Sequence, residues 1–146
     1  MKRIRVFALL VAAATGVVAL PLAFNGSDAV AQNNGRCSTQ TIKGSYGAQV
    51  SGWFGSGPGR VPIAQTGVVV LDGKGAINGS AETIIDGVAQ APAVIAGTYT
   101  VDPETCTGTA TTTIGTFFFA IVDNGKQTRI LATTPGFTVH GEAVRQ

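Results

Sequence analysis

The chain has 146 residues, among them 20 glycines, ten basic residues and eight acidic residues. Outside the first five residues, lysine and arginine form no cluster, so the sequence lacks the basic surface that binds nucleic acid. One histidine and two distant cysteines without a CxxC motif are a poor set of metal ligands, so neither a metal nor a cofactor is expected.

The first 31 residues have the pattern of a signal peptide. Three basic residues among the first five precede an apolar run, and Ala29-Val30-Ala31 supplies the small side chains that signal peptidase needs. The apolar run approaches the length of a membrane span, but Pro21 and the cleavage site favour removal. We therefore predict a secreted or periplasmic protein, cleaved near Ala31, with residues 32–146 as a single domain and no membrane span. This mature part carries seven basic and seven acidic residues.

Both cysteines lie in the predicted mature part, which enters an oxidising compartment. Two cysteines allow one intramolecular pairing, so we predict a structural disulfide between Cys37 and Cys106. A loop of this length stabilises a folded chain by about 4 kcal/mol when only chain entropy is considered.

Short alternating runs separated by turn residues follow, and no stretch repeats apolar residues at helical spacing for three turns. We predict eight strands, at residues 44–53, 61–71, 75–85, 94–101, 107–114, 116–122, 127–133 and 137–145. Most of the connections carry Asp, Gly or Pro, as turns require. Short connections between antiparallel strands favour an all-β, eight-stranded, up-and-down barrel, because closure removes both exposed edges. The alternative is a β-sandwich.

Three turns set the register of their hairpins if each has a two-residue loop. The loops are Gly73-Lys74, Asn124-Gly125 and Pro135-Gly136, and each register puts apolar residues opposite apolar residues on one face of the hairpin. The resulting pairs are Val70 with Ile77, Val68 with Gly79, Ile121 with Thr128, Phe119 with Ile130, Leu131 with His140, and Arg129 with Glu142. In such a meander the turns near residues 72, 102 and 123 share one end of the barrel, end A, with both cysteines. The remaining turns share the opposite end, end B.

Alternation along these strands divides the side chains into an inward and an outward set. The inward set has no charged member and several small ones, so the barrel could be hollow. It comprises Tyr46, Ala48, Val50, Val68, Val70, Ile77, Ala81, Thr83, Ile85, Ile95, Tyr99, Val101, Ala110, Thr112, Ile114, Phe117, Phe119, Ile121, Ile130, Ala132, Phe137 and Val139. The candidate ligand contacts among them are Tyr46, Tyr99, Thr112, Phe117, Phe119 and Phe137. For the two tyrosines the plainer alternative is a core aromatic with a satisfied hydroxyl.

Several features on the predicted outer face have two interpretations. His140 lies beside Glu142 and Arg129, where an exposed ion contact is an alternative to a catalytic pair. Glu82 alternates outward, which indicates a solvated charge. The outward residues Phe118, Val122 and Leu131 form an apolar group, which suggests a homo-oligomer, another partner or a covering terminal segment; the alternative is scattered surface hydrophobicity. The glycine-rich residues 54–60 lack the lysine of a phosphate loop and indicate a lid or a surface loop.

A family resemblance rests on four runs of sequence: TGVVVLDGKGAINGS, GTYTVDPETCTGTATTT, FFFAIVDNGKQTRILATTPG and the ending HGEAVRQ. They resemble small exported bacterial β-barrel proteins of unassigned function, which are similar to calycin and allene-oxide-cyclase-like barrels. The resemblance covers residues 37–146, and its motifs are mostly turns. It implies a hydrophobic cavity with a few polar groups, often in an oligomer, and no catalytic residue matches one for one.

Three hypotheses for function follow. The first is a secreted barrel that binds a small apolar molecule in its interior, or an envelope-associated binding module. The second is a cyclase-like isomerase, which needs an ionisable group that faces inward. The third is a structural or interaction protein that acts through its outer apolar group.

Overall fold

The computed structural model of the protein describes residues 37–146, and the predicted signal peptide with its cleavage site lies outside the described residues. Short 3-10 turns lie at Thr39–Ile42, Gly57–Gly59 and Asp123–Gly125. Among residues 37–146 there is no helix with the length and apolar character needed to cross a bilayer. The strands in chain order are β1 (Gly44–Phe54), β2 (Val61–Leu71), β3 (Ala76–Ile85), β4 (Val88–Ala89), β5 (Ala93–Asp102), β6 (Thr107–Thr112), β7 (Gly115–Val122), β8 (Gln127–Ala132) and β9 (Phe137–Arg145).

Eight of these strands close into an antiparallel barrel. The hydrogen-bonded order is β2-β1-β9-β8-β7-β6-β5-β3, and β3 pairs back onto β2. The predicted eight-stranded up-and-down barrel is therefore confirmed. The sandwich alternative is wrong, because a single sheet closes on itself instead of two sheets packing face to face.

The short strand β4 is not among the eight predicted strands and forms a hairpin with the end of β3. Its two residues pair with Ile84 and Ile85 of β3. The turn between them is Asp86-Gly87, whose φ angles are 51° and 77°. Two positive φ angles are typical of a tight type I′ hairpin, for which Asp-Gly is a favoured pair.

The direction of the strands brings the turns after β2, β5 and β7 to end A. The predicted disulfide is confirmed at this end, where the Cα atoms of Cys37 and Cys106 are 5.2 Å apart. Residues 55–60 and the turns after β3, β6 and β8 lie at end B.

Two of the three predicted hairpin registers are confirmed, because Phe119 pairs with Ile130 and Leu131 pairs with His140. The third register is wrong by one residue, since Ile77 pairs with Leu71 and not with Val70. The Asp72 carboxylate explains the shift. It accepts hydrogen bonds from the backbone N–H groups of three successive residues, 74 to 76, at 2.7, 2.9 and 2.9 Å. These bonds hold a loop that is longer than two residues. They also lower the pKa of Asp72, and the bond from Lys74 contributes most to this shift.

The shifted register exchanges the two faces of β2. Val68 and Val70 were predicted to face inward, but they point outward and are 38% and 48% exposed. Val69 and Leu71 pack in the interior instead. Residues 68–71 are apolar at every position, so alternation alone cannot identify the inner face there. The other predicted inward residues are buried or half-buried.

Candidate functional site

The interior of the barrel contains an apolar cavity between two clusters of packed side chains. The larger cluster lies towards end A and includes Ile42 and Leu71. The smaller one lies towards end B and includes Val50 and Val139. Residues of both clusters line the cavity, whose volume is about 100 Å³. The barrel is therefore packed towards both ends, and its own side chains do not fill the space between them.

Small side chains leave this space open. Ala48, Ala110 and Ala143 line the cavity at positions where larger residues would fill it. At end A the cavity is bounded by Ile42, which is 1% exposed. At end B it reaches Ile114 and Phe117, which are only partly buried. End B is therefore the side from which a molecule could enter.

Residues 37–43 close end A. The disulfide ties this segment to the start of β6. The Thr39 hydroxyl and the Gln40 amide both donate to the Gly73 carbonyl, at 2.8 and 2.9 Å. Arg145 Nη2 donates to the Thr41 carbonyl at 2.9 Å. These contacts hold the Ile42 side chain in place as the floor of the cavity.

The hydroxyls of Tyr46 and Tyr99, both candidate ligand contacts, take part in this closure of end A. Tyr99 donates to the Thr39 carbonyl at 3.2 Å and accepts the Gly73 N–H at 3.0 Å, and burial raises the pKa of Tyr99. Tyr46 is completely buried, donates to the Gly125 carbonyl and accepts hydrogen bonds from Arg145. The Tyr46 ring also lines the cavity, but neither hydroxyl is left for a ligand.

Of the other candidate contacts, Thr112, Phe117 and Phe119 line the cavity. The Thr112 hydroxyl is engaged, since it donates to the Gly115 carbonyl at 2.9 Å and accepts the Ile114 N–H. Phe137 packs at end B against Phe54, with ring centroids 5.0 Å apart. The structure thus gathers five of the six candidates around the cavity or its end B rim, and places Tyr99 at end A.

Two polar residues that were not predicted to face inward, Thr128 and Gln65, also line the cavity. Thr128 lies opposite Ile121 of β7 and two residues before Ile130 of β8. Both isoleucines are predicted to face inward, so the same alternation already places Thr128 inward. Gln65 was missed because it lies on β2, whose faces were assigned wrongly. Ile42 was missed because it lies in a 3-10 turn, where strand alternation does not apply.

The ionisable side chains considered for catalysis lie on the outer face. Arg129 Nη1 and Glu142 Oε2 are 2.6 Å apart, and the two side chains are 62% and 44% exposed. Glu82 and His140 are exposed as well. Within residues 37–146, no Asp, Glu, His, Lys or Arg side chain lines the cavity, and no three metal-binding side chains come together.

Exposed apolar side chains form the predicted outer group. Phe118 and Leu131 face each other across β7 and β8 and are 40% and 48% exposed. Val122 lies on the same outer face and is half-buried. At end B the Arg60 guanidinium lies over the Trp53 ring, 5.1 Å from its centroid.

Comparisons of the chain with protein-family models, with curated proteins and with solved structures found no match. The barrel and its cavity are therefore the observations from which a function is inferred. The resemblance to calycin and allene-oxide-cyclase-like barrels stays an expectation based on the sequence.

Proposed function

We propose that this protein is an exported β-barrel that binds a small apolar molecule in its interior, as a free or envelope-associated binding module. The observation that carries the proposal is the apolar cavity of about 100 Å³ that extends from Ile42 to Ile114. Cavities with apolar walls stay dry, because a water molecule inside them lacks polar partners. An apolar ligand gains roughly 25 cal/mol for each Å² of its surface that leaves water.

The volume of the cavity limits the size of the ligand. An engineered protein cavity of about 150 Å³ binds benzene, and the cavity described here is smaller but reaches partly exposed residues at end B. A molecule with one benzene-sized ring and a single small substituent, or one end of a longer molecule that protrudes through end B, is the largest that is expected to fit. The ligand is expected to be uncharged, because no charged side chain of residues 37–146 lines the cavity to pair with it.

Export is part of this proposal. The Cys37–Cys106 disulfide supports it, because disulfides form and persist in oxidising compartments. The basic and apolar pattern of residues 1–31, with its cleavage site near Ala31, supports it independently. The protein would therefore meet its ligand outside the cytoplasm.

Filling the cavity should abolish binding. Ala110 is buried and lines the cavity, so Ala110→Val directs two additional carbon atoms into the space that the ligand would occupy. We expect the affinity for toluene to fall at least about ten-fold, because the added methyl groups of the valine occupy part of the cavity volume that toluene needs. The measurement is a titration of the exported, purified protein with toluene, followed by the NMR shifts of its backbone amides.

Ala132→Val is the matched control for this substitution. Ala132 is also buried and inward but belongs to the packed cluster near end B. The same added carbons should lower the free energy of unfolding there by about 1–3 kcal/mol through overpacking, while toluene binding stays unchanged. Equal toluene affinity in the wild type and in Ala110→Val would show that the cavity is not the binding site.

A cyclase-like isomerase is the alternative that the geometry supports less well. Acid–base catalysis needs an ionisable group within hydrogen-bond reach of the substrate. The ion pair of Arg129 and Glu142, which would have supported catalysis had it pointed inward, is on the outer face. The described lining of the cavity offers hydroxyl and amide groups instead.

An interaction role for the outer face is a second proposal, because Phe118 and Leu131 form an exposed apolar pair. If Phe118, Val122 and Leu131 hold a homo-oligomer together, Phe118→Asp should convert it to monomers, since burial of an unpaired carboxylate is costly. Multi-angle light scattering measures the mass. Thr98→Asp, at an exposed position on β5, is the control and should keep the wild-type mass. A wild type that is monomeric at every concentration would rule this interface out.

A further inference from the structure

Thr128 lines the cavity near its closed end, and its hydroxyl has no hydrogen-bond partner among residues 37–146. It is the second residue of β8 from end A, is 7% exposed and lines the cavity. Its cross-strand neighbours are Ile121 and Ala143, which have no polar side-chain atoms. Every fully enclosed side-chain nitrogen or oxygen of residues 37–146 has a hydrogen-bond partner. The Thr128 hydroxyl has none among these residues, so it is not fully enclosed by them, and the open space next to Thr128 is the cavity that this residue lines.

Each of the other polar side chains in the lining has at least one hydrogen-bond partner within the barrel. The Tyr46 hydroxyl is held by Gly125 and Arg145, and the Thr112 hydroxyl by the Gly115 carbonyl. Gln65 is only partly buried, and its amide donates to the Thr83 hydroxyl at 2.8 Å. Thr128 is thus the lining residue whose hydroxyl is both deeply buried and free to bind a ligand.

A water molecule is a poor partner for this hydroxyl. A buried water typically makes about three hydrogen bonds to polar groups around it, whereas Ile42, Ala48 and Ala143 supply apolar atoms to this part of the lining. A ligand that brings one polar atom and is apolar elsewhere matches the surroundings better, because it satisfies the hydroxyl without leaving polar groups of its own unpaired.

We propose that the ligand class is a neutral, benzene-sized molecule with a single hydroxyl or carbonyl group, which Thr128 binds by a hydrogen bond. This inference rests on the proposed function and specifies its ligand. The polar group of the ligand points towards end A and Thr128, and the apolar remainder lies towards Ile114 and Phe117 at end B. A charged group has no counter-ion in the described lining and is rejected.

Phenol and toluene are a matched pair of probes for this inference, because they differ only in a hydroxyl group and a methyl group. Their affinities are measured by NMR titration on the exported wild type, on Thr128→Val and on Thr128→Ser. The valine removes the hydroxyl and keeps the shape of the side chain, whereas the serine keeps the hydroxyl. We expect the ratio of the phenol affinity to the toluene affinity to fall about 2- to 12-fold in Thr128→Val, because one hydrogen bond is lost. In Thr128→Ser this ratio should stay as it is in the wild type.

The possible outcomes separate this inference from the proposed function. If both probes bind and Thr128→Val leaves their ratio unchanged, or if Thr128→Ser loses the preference as the valine does, the role of the hydroxyl is wrong and the binding function stands. If neither probe binds the wild type, both are wrong. A measurement on the wild type alone checks the orientation: the ortho protons of phenol should show NOEs to the Thr128 methyl group. NOEs from the para proton to that methyl group would overturn the inference.

Discussion

Replacing Cys37 and Cys106 together by alanine is expected to lower the free energy of unfolding by about 4 kcal/mol. The disulfide joins residues 69 positions apart, and restriction of the unfolded chain by a loop of that length is worth about this much. A domain is typically stable by only about 5–15 kcal/mol, so the loss would be a large fraction of the total. Urea unfolding followed by circular dichroism measures it. The slope of the free energy against urea should also increase, because the unfolded chain without the cross-link exposes more surface.

The same double variant should keep the native barrel at low urea concentration. Residues 37–43 remain bound by hydrogen bonds of Thr39 and Gln40 to Gly73, and of Arg145 to Thr41. Ile42 should therefore still close the cavity, and toluene should bind as it does to the wild type. The wild type in a reducing buffer is the matched control and should unfold at the same urea concentration as the variant. A midpoint equal to that of the oxidised wild type would contradict the argument from chain entropy.

Turn chemistry made the hairpins β7–β8 and β8–β9 predictable. Asn124-Gly125 and Pro135-Gly136 fix the loop, and polar residues at alternate positions of β8 and β9, such as Arg129, His140 and Glu142, identify the outer face. In the hairpin β2–β3, Asn78 and Ser80 mark the outer face of β3, but residues 68–71 of β2 are apolar throughout, so the assignment of the β2 faces depends on the length of the loop. The register of this hairpin was decided by three backbone hydrogen bonds to Asp72. A short run of sequence around Gly73-Lys74 is compatible with a loop of either length.

The candidate site was predictable in its composition but not in its volume. Uncharged and small residues at inward positions, such as Ala48 and Ala110, indicated an interior that is apolar and incompletely filled. Whether space remains depends on how far every neighbouring side chain reaches, and Ile42 enters the barrel from a segment that has no strand periodicity. The two tyrosines show a similar limit, because Tyr46 and Tyr99 have the same inward parity whether their hydroxyls face a ligand or the backbone of end A.

Closely approaching backbones are a further feature that alternation does not reveal. At Gly67 a Cβ atom would lie 2.2 Å from the Ser80 carbonyl oxygen, and at Gly141 it would lie 2.0 Å from the Gln49 carbonyl oxygen. Both glycines face inward, where the strands of an eight-stranded barrel must bend and coil to close. The glycine content of this sequence is therefore tied to closure of the barrel, and only part of it belongs to turns.

Gly141→Ala is accordingly expected to destabilise the barrel by about 3 kcal/mol or more, as one methyl group forces β9 away from β1. The added Cβ would also meet the Val50 Cα at 2.7 Å, so both contacts are with backbone and neither can move aside as a side chain would. Gly59→Ala is the matched control, because nothing lies within 4 Å of a Cβ at that position. Urea unfolding should show the control within about 0.5 kcal/mol of the wild type. If the two variants have equal stability, β1 and β9 do not approach each other as closely as described, and the barrel does not need a glycine at position 141 in order to close.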